Sequence, residues 1–285
     1  MISIESLLEA ARDELEKNGI PSATREARSL LGFAIGKDAA FLIAHPEFNV
    51  SQDLAELFLD SVRRRARHEP FHYITGSRDF YGLEFEVSRE VLIPRPETEL
   101  LVERALEFLR TRPAQRFCEV GVGSGCITVS ILFHAPNSEA VGLEVSEGAL
   151  DIAGRNADRH GVGSRLVLRL SDVFQSLTAD ERFDLIVSNP PYVPTNDLEG
   201  LQPDVRLYEP HIALTAGADG LAIIRSIVED APNHLTPGGR LLLEIGFGQA
   251  EAVMGLFDPA RWTSATLHPD LQGIPRVVEA ITADI

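Results

Sequence analysis

Two short loops in the middle of the chain contain residues whose types and spacing suit small-molecule chemistry. The first loop, Gly121-Val122-Gly123-Ser124-Gly125, follows a strand-like run that ends at Val120. Glycines at this spacing allow a tight turn and let a ligand approach the backbone closely. The spacing is not that of the dinucleotide fingerprint, and no lysine follows it as in triphosphate-binding loops. Taken alone, the loop predicts either a structural turn or a site for a nucleotide-like ligand.

Two acidic residues sharpen this prediction. Glu144 ends the next strand-like run, 23 residues after Gly121, where an acid can accept hydrogen bonds from ribose hydroxyls. Asp172 follows the third such run, where its carboxylate could accept from an adenine amino group while Val173 or Phe174 contacts the ring. Each acid alone could instead be a helix cap or a surface residue. Together with the glycine loop, they predict an adenosine site at three successive strand ends.

The second loop, Asn189-Pro190-Pro191-Tyr192, follows the strand-like run 183–188. Pro190 confines Asn189 to extended backbone, and both prolines lack an N–H group. We therefore predict a rigid loop that presents the Asn189 side-chain oxygen and the Pro190 carbonyl as two acceptors for a planar NH2 group. Tyr192 offers a flat face for stacking on such a group. The alternative is a proline-rich turn that only closes a strand.

This pair of acceptors indicates a particular reaction. An amide or aromatic amine is a poor nucleophile because its lone pair is delocalised. Two acceptors would hold its nitrogen in line with a methyl sulfonium and favour the positive charge that the nitrogen acquires. No strong general base is needed, because the product can lose its proton after transfer. The residues predict a methyltransferase that acts on a planar amide or amino nitrogen, with Asn189, Pro190 and Tyr192 as catalytic residues.

The elements that position these loops fall into two predicted domains. Residues 1–74 read as a small helical bundle, because apolar residues recur at three- and four-residue steps along them. The first helix contains Ile4, Leu7 and Leu15 on one face and ends at Asn18-Gly19. Further helices are predicted for Thr24–Ile35 and Asp53–Arg67.

Residues 75–285 form the second predicted domain, which begins with a β-hairpin linker over 75–95. The hairpin is predicted from the strand-like runs His72–Gly76 and Leu83–Val87. The prolines of Leu92–Thr98 then lead stiffly into a helix predicted over Glu99–Thr111.

From Phe117 onward, strand and helix patterns alternate, which favours a parallel sheet with helices on both faces. Right-handed crossovers then give a doubly wound α/β fold, similar to a Rossmann sheet. The strands are predicted at Phe117–Val120, Ala140–Glu144, Leu166–Leu170, Leu185–Ser188 and Arg240–Ile245, and helices at Gly148–Arg159 and Gly220–Asp230.

Composition limits the alternatives. The 285 residues carry a formal net charge of −17, which disfavours free nucleic acid as a partner without excluding a local basic groove. Cys118 and Cys126 are too few for a disulfide framework and are expected to be small buried thiols. No paired histidine spacing indicates a metal site, and no run is apolar enough to span a membrane. The acidic N-terminus lacks a signal pattern, so we expect a cytoplasmic protein. We also expect a monomer.

The sequence resembles a known family, the PrmC/HemK protein-(glutamine-N5) methyltransferases that act on peptide chain release factors. The Asn-Pro-Pro-Tyr loop is shared with N6-adenine methyltransferases, whereas the segment Ile93–Glu99 is far more selective for the release-factor enzymes. The resemblance covers residues 70–280. Beyond the two loops and Ser171-Asp172, it runs through 72–76, 80–82, 92–99, 208–210, 213–214, 217–221, 237–239, 244–249, 270–273 and Arg276.

The resemblance implies a class I S-adenosylmethionine-dependent methyltransferase fold whose last strand is antiparallel. It implies the glutamine of the Gly-Gly-Gln motif of bacterial release factors as substrate. Glu119 and Glu144 stand where the family usually has Asp, and Val122 stands where it has Thr or Ser. By this resemblance the substrate glutamine is held by Asn189, Pro190, Pro191 and Tyr192, and the cofactor by Gly121, Val122, Gly123, Ser124, Gly125, Glu144, Asp172, Val173 and Asn189.

Two other functions stay open from the sequence: an N6-adenine nucleic-acid methyltransferase and a non-catalytic cofactor-binding protein. The negative charge disfavours the first, and the intact loops disfavour the second. Two further segments each have two interpretations. The basic run Arg63–Arg67 is either a solvated helix end or a contact to a release factor or its bound ribosomal RNA. Arg95 and Glu97 either form a structural ion pair or line the site.

Overall fold

The structure is a computed structural model, and it describes residues 2–110 and 115–283. The chain divides into two compact units, which we describe separately. One comprises the residues up to Ser77 together with Gln202–Tyr208, and the other comprises Arg78–Leu201 and the residues from Glu209 onward. The helices are α1 (Ile4–Lys17), α2 (Ala23–Ile35), α3 (Ala39–Ala44), α4 (Gln52–Ala66), α5 (Phe71–Thr75), α6 (Glu99–Leu109), α7 (Cys126–His134), α8 (Glu147–Arg159), α9 (Pro203–Tyr208), α10 (Ala222–Asp230) and α11 (Ala250–Met254).

The strands are β1 (Ile2–Ser3), β2 (Asn49–Val50), β3 (Ser77–Phe80), β4 (Leu83–Glu86), β5 (Arg116–Val120), β6 (Glu139–Glu144), β7 (Leu166–Leu170), β8 (Phe183–Ser188), β9 (Leu235–Glu244), β10 (Trp262–Pro269) and β11 (Pro275–Thr282). The end of the helix predicted over Glu99–Thr111 lies outside the described residues. Among the helices of the described residues, none combines the length and apolarity that crossing a membrane requires.

The first unit is a helical bundle around one apolar core. Ser3 caps α1 by accepting a hydrogen bond from the backbone N–H of Ser6, and Asn18 ends the helix. The buried core of this unit includes Leu15, Leu31 and Phe58 from three helices. The expectation of helices throughout was wrong in one detail, because β1 and β2 form a two-residue antiparallel pair.

The predicted hairpin was misplaced at its first strand. Residues 71–75 form α5, which follows Pro70 and ends where Gly76 adopts a positive φ of 76°. Tyr73 and Ile74 are buried by this turn of helix, so tertiary packing overrides their strand propensity. The hairpin is formed instead by β3 and β4, joined through Tyr81 and Gly82, whose φ angles of 50° and 75° suit a two-residue hairpin turn.

The second unit contains a seven-stranded sheet of order β10-β11-β9-β8-β5-β6-β7. The pairs among β9, β8, β5, β6 and β7 are parallel, and β11 is antiparallel to both of its neighbours. This confirms the class I methyltransferase fold, including the antiparallel last strand. β8 lies beside β5. The chain runs from β5 outward to β7 and then returns to the other side of β5, so the order reverses between β5 and β8. Ligands of such sheets bind at this switch point, beyond the carboxyl ends of the strands.

Alternate residues of the central strands point to opposite faces of the sheet. Phe117 of β5 belongs to the apolar cluster that contains residues of α6, α7 and α8. Cys118, the next residue, belongs to the cluster that contains α10. Both layers hold the strand ends in place, and the two loops of interest extend from those ends.

Candidate active site

A cavity of about 320 Å³ lies at the carboxyl ends of β5, β6, β7 and β8. This volume is within the range of small-molecule sites. Of the residues predicted from the sequence, nine line it: Gly121, Val122, Gly123, Ser124, Glu144, Asp172, Val173, Asn189 and Pro191. Gly125, Pro190 and Tyr192 are not among the lining residues. The wall also includes Leu92, Pro94, Arg95 and Thr98, from the segment before α6.

The glycine loop turns sharply between β5 and α7. Gly121, Gly123 and Gly125 have φ angles of 76°, 52° and 80°, which residues with a side chain rarely adopt. A Cβ atom at Gly121 or Gly123 would meet nothing within 4 Å, whereas one at Gly125 would lie 3.3 Å from Ala153 of α8. The first two glycines therefore leave open space for a ligand, and the third allows α7 and α8 to approach each other closely.

Glu144 stabilises this loop from the end of β6. One carboxylate oxygen accepts a hydrogen bond from the N–H of Gly123 at 2.9 Å. The other accepts from the N–H groups of Val145 and Ser146 at 2.8 and 3.1 Å. Glutamate has one methylene more than aspartate, and this length lets its carboxylate reach back to the loop. The side chain is 9% exposed and still lines the cavity.

Glu119 is a second acid beneath the loop. Its carboxylate is 1% exposed and accepts from both the backbone N–H and the hydroxyl of Thr128 on α7. Burial raises the pKa of Glu119 to about 8, an effect that the two hydrogen bonds from Thr128 only partly oppose. The pairing ties the end of β5 to the first turn of α7 and so fixes both ends of the glycine loop.

A strained turn follows β7. Val173 has a φ of 47°, which is uncommon for a β-branched residue. Ser171 stabilises the turn, because its hydroxyl donates to the Val173 carbonyl at 2.9 Å and accepts from the Ser176 N–H at 3.0 Å. Asp172 is left exposed at the cavity edge, with Gln175 contacting its carboxylate at 3.4 Å. Ser171 is one of the residues that carry the family resemblance, but its role in this turn was not predicted from the sequence.

The Asn-Pro-Pro-Tyr loop extends from β8. The hydroxyl of Ser188 donates to the Val120 carbonyl at 2.7 Å and joins the ends of β8 and β5. The side-chain amide of Asn189 donates to the Thr98 hydroxyl at 3.0 Å. Within residues 2–110 and 115–283, no donor reaches the Asn189 Oδ1 atom or the Pro190 carbonyl. Both oxygens are therefore left as acceptors.

Tyr192 is packed behind this loop. Its ring contacts the cluster beneath β8 and β9, and burial raises the pKa of its hydroxyl. Its backbone carbonyl accepts from the Gln249 side chain at 3.0 Å. Gly220 and Gly246 are required beside it, since a Cβ atom at either would lie within about 3 Å of Tyr192. Gln249 therefore has a structural role beside this loop.

The segment before α6 is anchored to the same unit by a buried acid. Arg95 donates to Glu209 at 2.6 Å, and the Ile93 N–H donates to the same carboxylate at 3.2 Å. Arg95 thus combines the two interpretations, because it forms an ion pair and lines the cavity, while Glu97 is exposed. The pairing with Glu209 joins two motifs of the resemblance that are 114 residues apart.

The basic run of α4 is engaged within the helical unit. Arg64 pairs with Glu69 and Arg65 pairs with Glu26, each at 2.9 Å. Arg63 pairs with Asp60 at 3.3 Å. These contacts give Arg63, Arg64 and Arg65 partners within this unit, and a contact of the run to a release factor stays a prediction. Cys118 and Cys126 are buried free thiols, as predicted.

The residues around the cavity fit a nucleoside-bearing cofactor. Open space lies next to Gly121 and Gly123. Glu144 and Asp172 line the cavity at the ends of β6 and β7, and the apolar side chains of Val122 and Val173 complete its walls. A methionine-type tail and an adenosine both match a cavity that is apolar with a few fixed polar groups. The described residues that line the cavity include no lysine.

Comparison with known proteins identifies both units. The PrmC N-terminal domain model matches residues 6–76, and the methyltransferase small domain model matches residues 97–201. The release factor glutamine methyltransferase of Geobacter sulfurreducens is 44% identical over 97% of this chain and 95% of its own length. That of Cereibacter sphaeroides is 44% identical over 96% of each chain.

Among solved structures, a T. thermophilus 16S rRNA methyltransferase in complex with AdoMet and guanosine shares the fold. It superposes with a TM-score of 0.53 and 20% identity, covering 72% of this chain and 49% of that chain. The chain is therefore an S-adenosylmethionine-dependent methyltransferase and belongs to the PrmC family of release factor glutamine methyltransferases.

Proposed function

We propose that this enzyme methylates the side-chain amide nitrogen of the glutamine in the Gly-Gly-Gln motif of bacterial release factors. The observation that carries the proposal is the pair of unengaged acceptors, Asn189 Oδ1 and the Pro190 carbonyl, on a loop that lacks N–H groups at Pro190 and Pro191. A primary amide has two N–H donors in one plane, and two fixed acceptors match them. The near-full-length identity to release factor glutamine methyltransferases supports the same substrate.

The cofactor, when bound, supplies an electrophilic methyl group on a sulfonium. The residues of this chain position the cofactor and the substrate amide. Gly121–Gly125 and Glu144 shape the cofactor side of the cavity, and Asp172 with Val173 forms the edge that suits an adenine ring. Asn189 and Pro190 hold the amide nitrogen and stabilise the positive charge that grows on it. The reaction needs no base, since the methylated amide loses its extra proton to water.

Tyr192 serves in this proposal as the residue that keeps the loop rigid. Its carbonyl accepts from Gln249 and lies against Gly220, and its ring lies against Gly246. Rigid placement matters because a small displacement of reacting groups costs about 100-fold in rate. Pro191 lines the cavity and completes the wall against the substrate.

We further propose that the release factor alone is the partner, that the enzyme acts as a monomer, and that it works in the cytoplasm where translation factors are found. The net charge of −17 supports a protein partner over free nucleic acid. The division of labour between the two predicted domains, 1–74 for substrate recognition and 75–285 for methyl transfer, remains part of this proposal.

The test is transfer of a radiolabelled methyl group from the cofactor to a purified bacterial release factor. Two controls are run in parallel: the same factor with the Gly-Gly-Gln glutamine replaced by alanine, and duplex DNA. We expect label on the wild-type factor and on neither control. Label on DNA would overturn the proposal in favour of adenine methylation, and label on the alanine variant would place the methyl group elsewhere on the protein.

A further inference from the structure

Thr98 is buried immediately before α6. It ends a short 3-10 turn, Pro96–Thr98, that leads into α6 without a break, so its backbone is helical (φ −68°, ψ −16°) and its side chain makes no capping hydrogen bond. The residue is 2% exposed and lines the cavity.

The contact that this hydroxyl makes determines which way the Asn189 amide faces. Asn189 Nδ2 donates to Thr98 Oγ1 at 3.0 Å. An asparagine amide can rotate and exchange its oxygen and nitrogen, and the two orientations have opposite hydrogen-bonding character. Only the orientation with the nitrogen on Thr98 leaves Oδ1 free to accept from a substrate NH2 group.

Glu244 is a buried acid near Thr98. Its carboxyl group is 2% exposed, and Oε2 has no hydrogen-bond partner within the described residues. The Thr98 side chain favours the ionised form of this carboxyl group and so lowers its pKa.

Several groups act on the pKa of Glu244. Burial raises it to about 7, while the Thr98 and Tyr192 hydroxyls and the charge of Arg276 lower it. The nearby carboxylate of Glu97 raises it.

We propose that Thr98 is a positioning residue for methyl transfer, which fixes the Asn189 amide so that Oδ1 faces the methyl-accepting nitrogen. This inference rests on the proposed function. It also gives a role to the segment that most closely resembles the release-factor enzymes. Arg95 of that segment is anchored on Glu209, and Glu99 accepts from the Tyr81 N–H at 2.9 Å, so Thr98 is held between two fixed points.

The test compares Thr98→Val with Thr98→Ser under steady-state conditions. Valine has nearly the same shape as threonine but offers no acceptor, so the Asn189 amide loses its fixed orientation. We expect kcat to fall on the order of tenfold to a hundredfold, with KM for the release factor unchanged. Serine keeps the hydroxyl and should retain kcat within about threefold. Thr195→Val is the matched control, because that hydroxyl bonds to the Gly217 carbonyl and Thr195 does not line the cavity.

Cofactor affinity and the melting temperature are measured for each variant, and both should match the wild type. A Thr98→Val enzyme within about twofold of wild-type kcat would overturn the inference, as would a Thr98→Ser enzyme that is equally impaired. Absence of methylation by the wild-type enzyme would instead refute the proposed function. If Thr98→Val does not fold, Thr98→Cys is used in its place, because sulfur is only a weak acceptor. A kcat of the Thr98→Ser enzyme well above that of the Thr98→Cys enzyme supports the inference, and equal kcat values overturn it.

Discussion

The glycine loop and the proline loop extend from adjacent parallel strands, yet their residue types limit the backbone in opposite ways. Residues 121–125 contain three glycines with positive φ, and the Gly123 N–H is directed to a carboxylate. The loop at 189–192 has no N–H at two successive positions and leaves two oxygens as acceptors. One cavity thus has a glycine-rich wall that leaves open space beside a rigid wall that offers acceptors.

This difference separates two tasks. Four of the five N–H groups of the glycine loop bond within the protein, so this loop offers the cofactor open space at Gly121 and Gly123. Acceptors fixed by proline suit an NH2 group, which the substrate amide has. The comparison teaches that residue types which fix or free the backbone determine which ligand each strand end binds. The predictions below test this division from the largest expected effect to the smallest.

Asn189→Ala should have the largest effect, because it removes one of the two acceptors and leaves the Thr98 hydroxyl without its donor. We expect single-turnover methyl transfer to the release factor to fall by about 100-fold or more. Cofactor affinity, measured by calorimetry, should change by less than about tenfold. If affinity and transfer fell equally, the two loops would not have separate tasks.

Gly121→Ala should act on the other wall. A side chain here would point into open space but would require a φ of 76°. We expect about tenfold weaker cofactor binding, with transfer largely restored at saturating cofactor. Gly161→Ala is the matched control, since Gly161 has a φ of 69° and equally open surroundings but does not line the cavity. It should lower the melting temperature by a similar amount and leave cofactor affinity unchanged. Equal affinities for the two variants would contradict the role of Gly121.

Glu144→Gln should have a moderate effect. The amide keeps one acceptor for the loop but loses the charge and one of the acceptor positions that now serve Gly123, Val145 and Ser146. Charge-assisted hydrogen bonds are about twice as strong as neutral ones, so we expect cofactor affinity to fall three- to tenfold, or about 1 kcal/mol. Glu139→Gln, at an exposed position on the same strand, is the control. An unchanged cofactor affinity in Glu144→Gln would contradict the role of its charge.

Glu119→Gln should have the smallest effect on activity and a visible effect on stability. In the folded state the Glu119 pKa is about 8, above its unfolded value, so the folded protein binds the extra proton. Stability from this group is therefore complete below its unfolded pKa and is lost as pH rises towards 8. Urea unfolding from pH 5 to 9 should show a smaller decline for Glu119→Gln than for the wild type. Parallel curves would mean that Glu119 does not titrate in this range.

Much of the fold could be predicted because its signals are local. The alternation of strand-like and helical runs predicted the parallel part of the sheet. The first strand of the hairpin was wrong because 72–76 has strand propensity, whereas Pro70 and Gly76 bound a short helix whose side chains become buried. Secondary-structure propensity carries no information about this tertiary packing.

The site was predicted unevenly for a similar reason. The lining loops could be found from glycine and proline, whose backbone limits are independent of distant residues. Thr98 and Glu209 could not be assigned roles, because their partners are 91 and 114 residues away. The burial of Tyr192 also depends on glycines far along the chain, at 220 and 246. Contacts of this length require the folded structure.

Peptide mapping by mass spectrometry tests the central claim most directly. A bacterial release factor is incubated with the cofactor and either the wild-type enzyme or Asn189→Ala, then digested. The account predicts one added methyl group on the side chain of the Gly-Gly-Gln glutamine with the wild type, and almost none with Asn189→Ala in the same time. A methyl group on another residue, or equal modification by both enzymes, would contradict it.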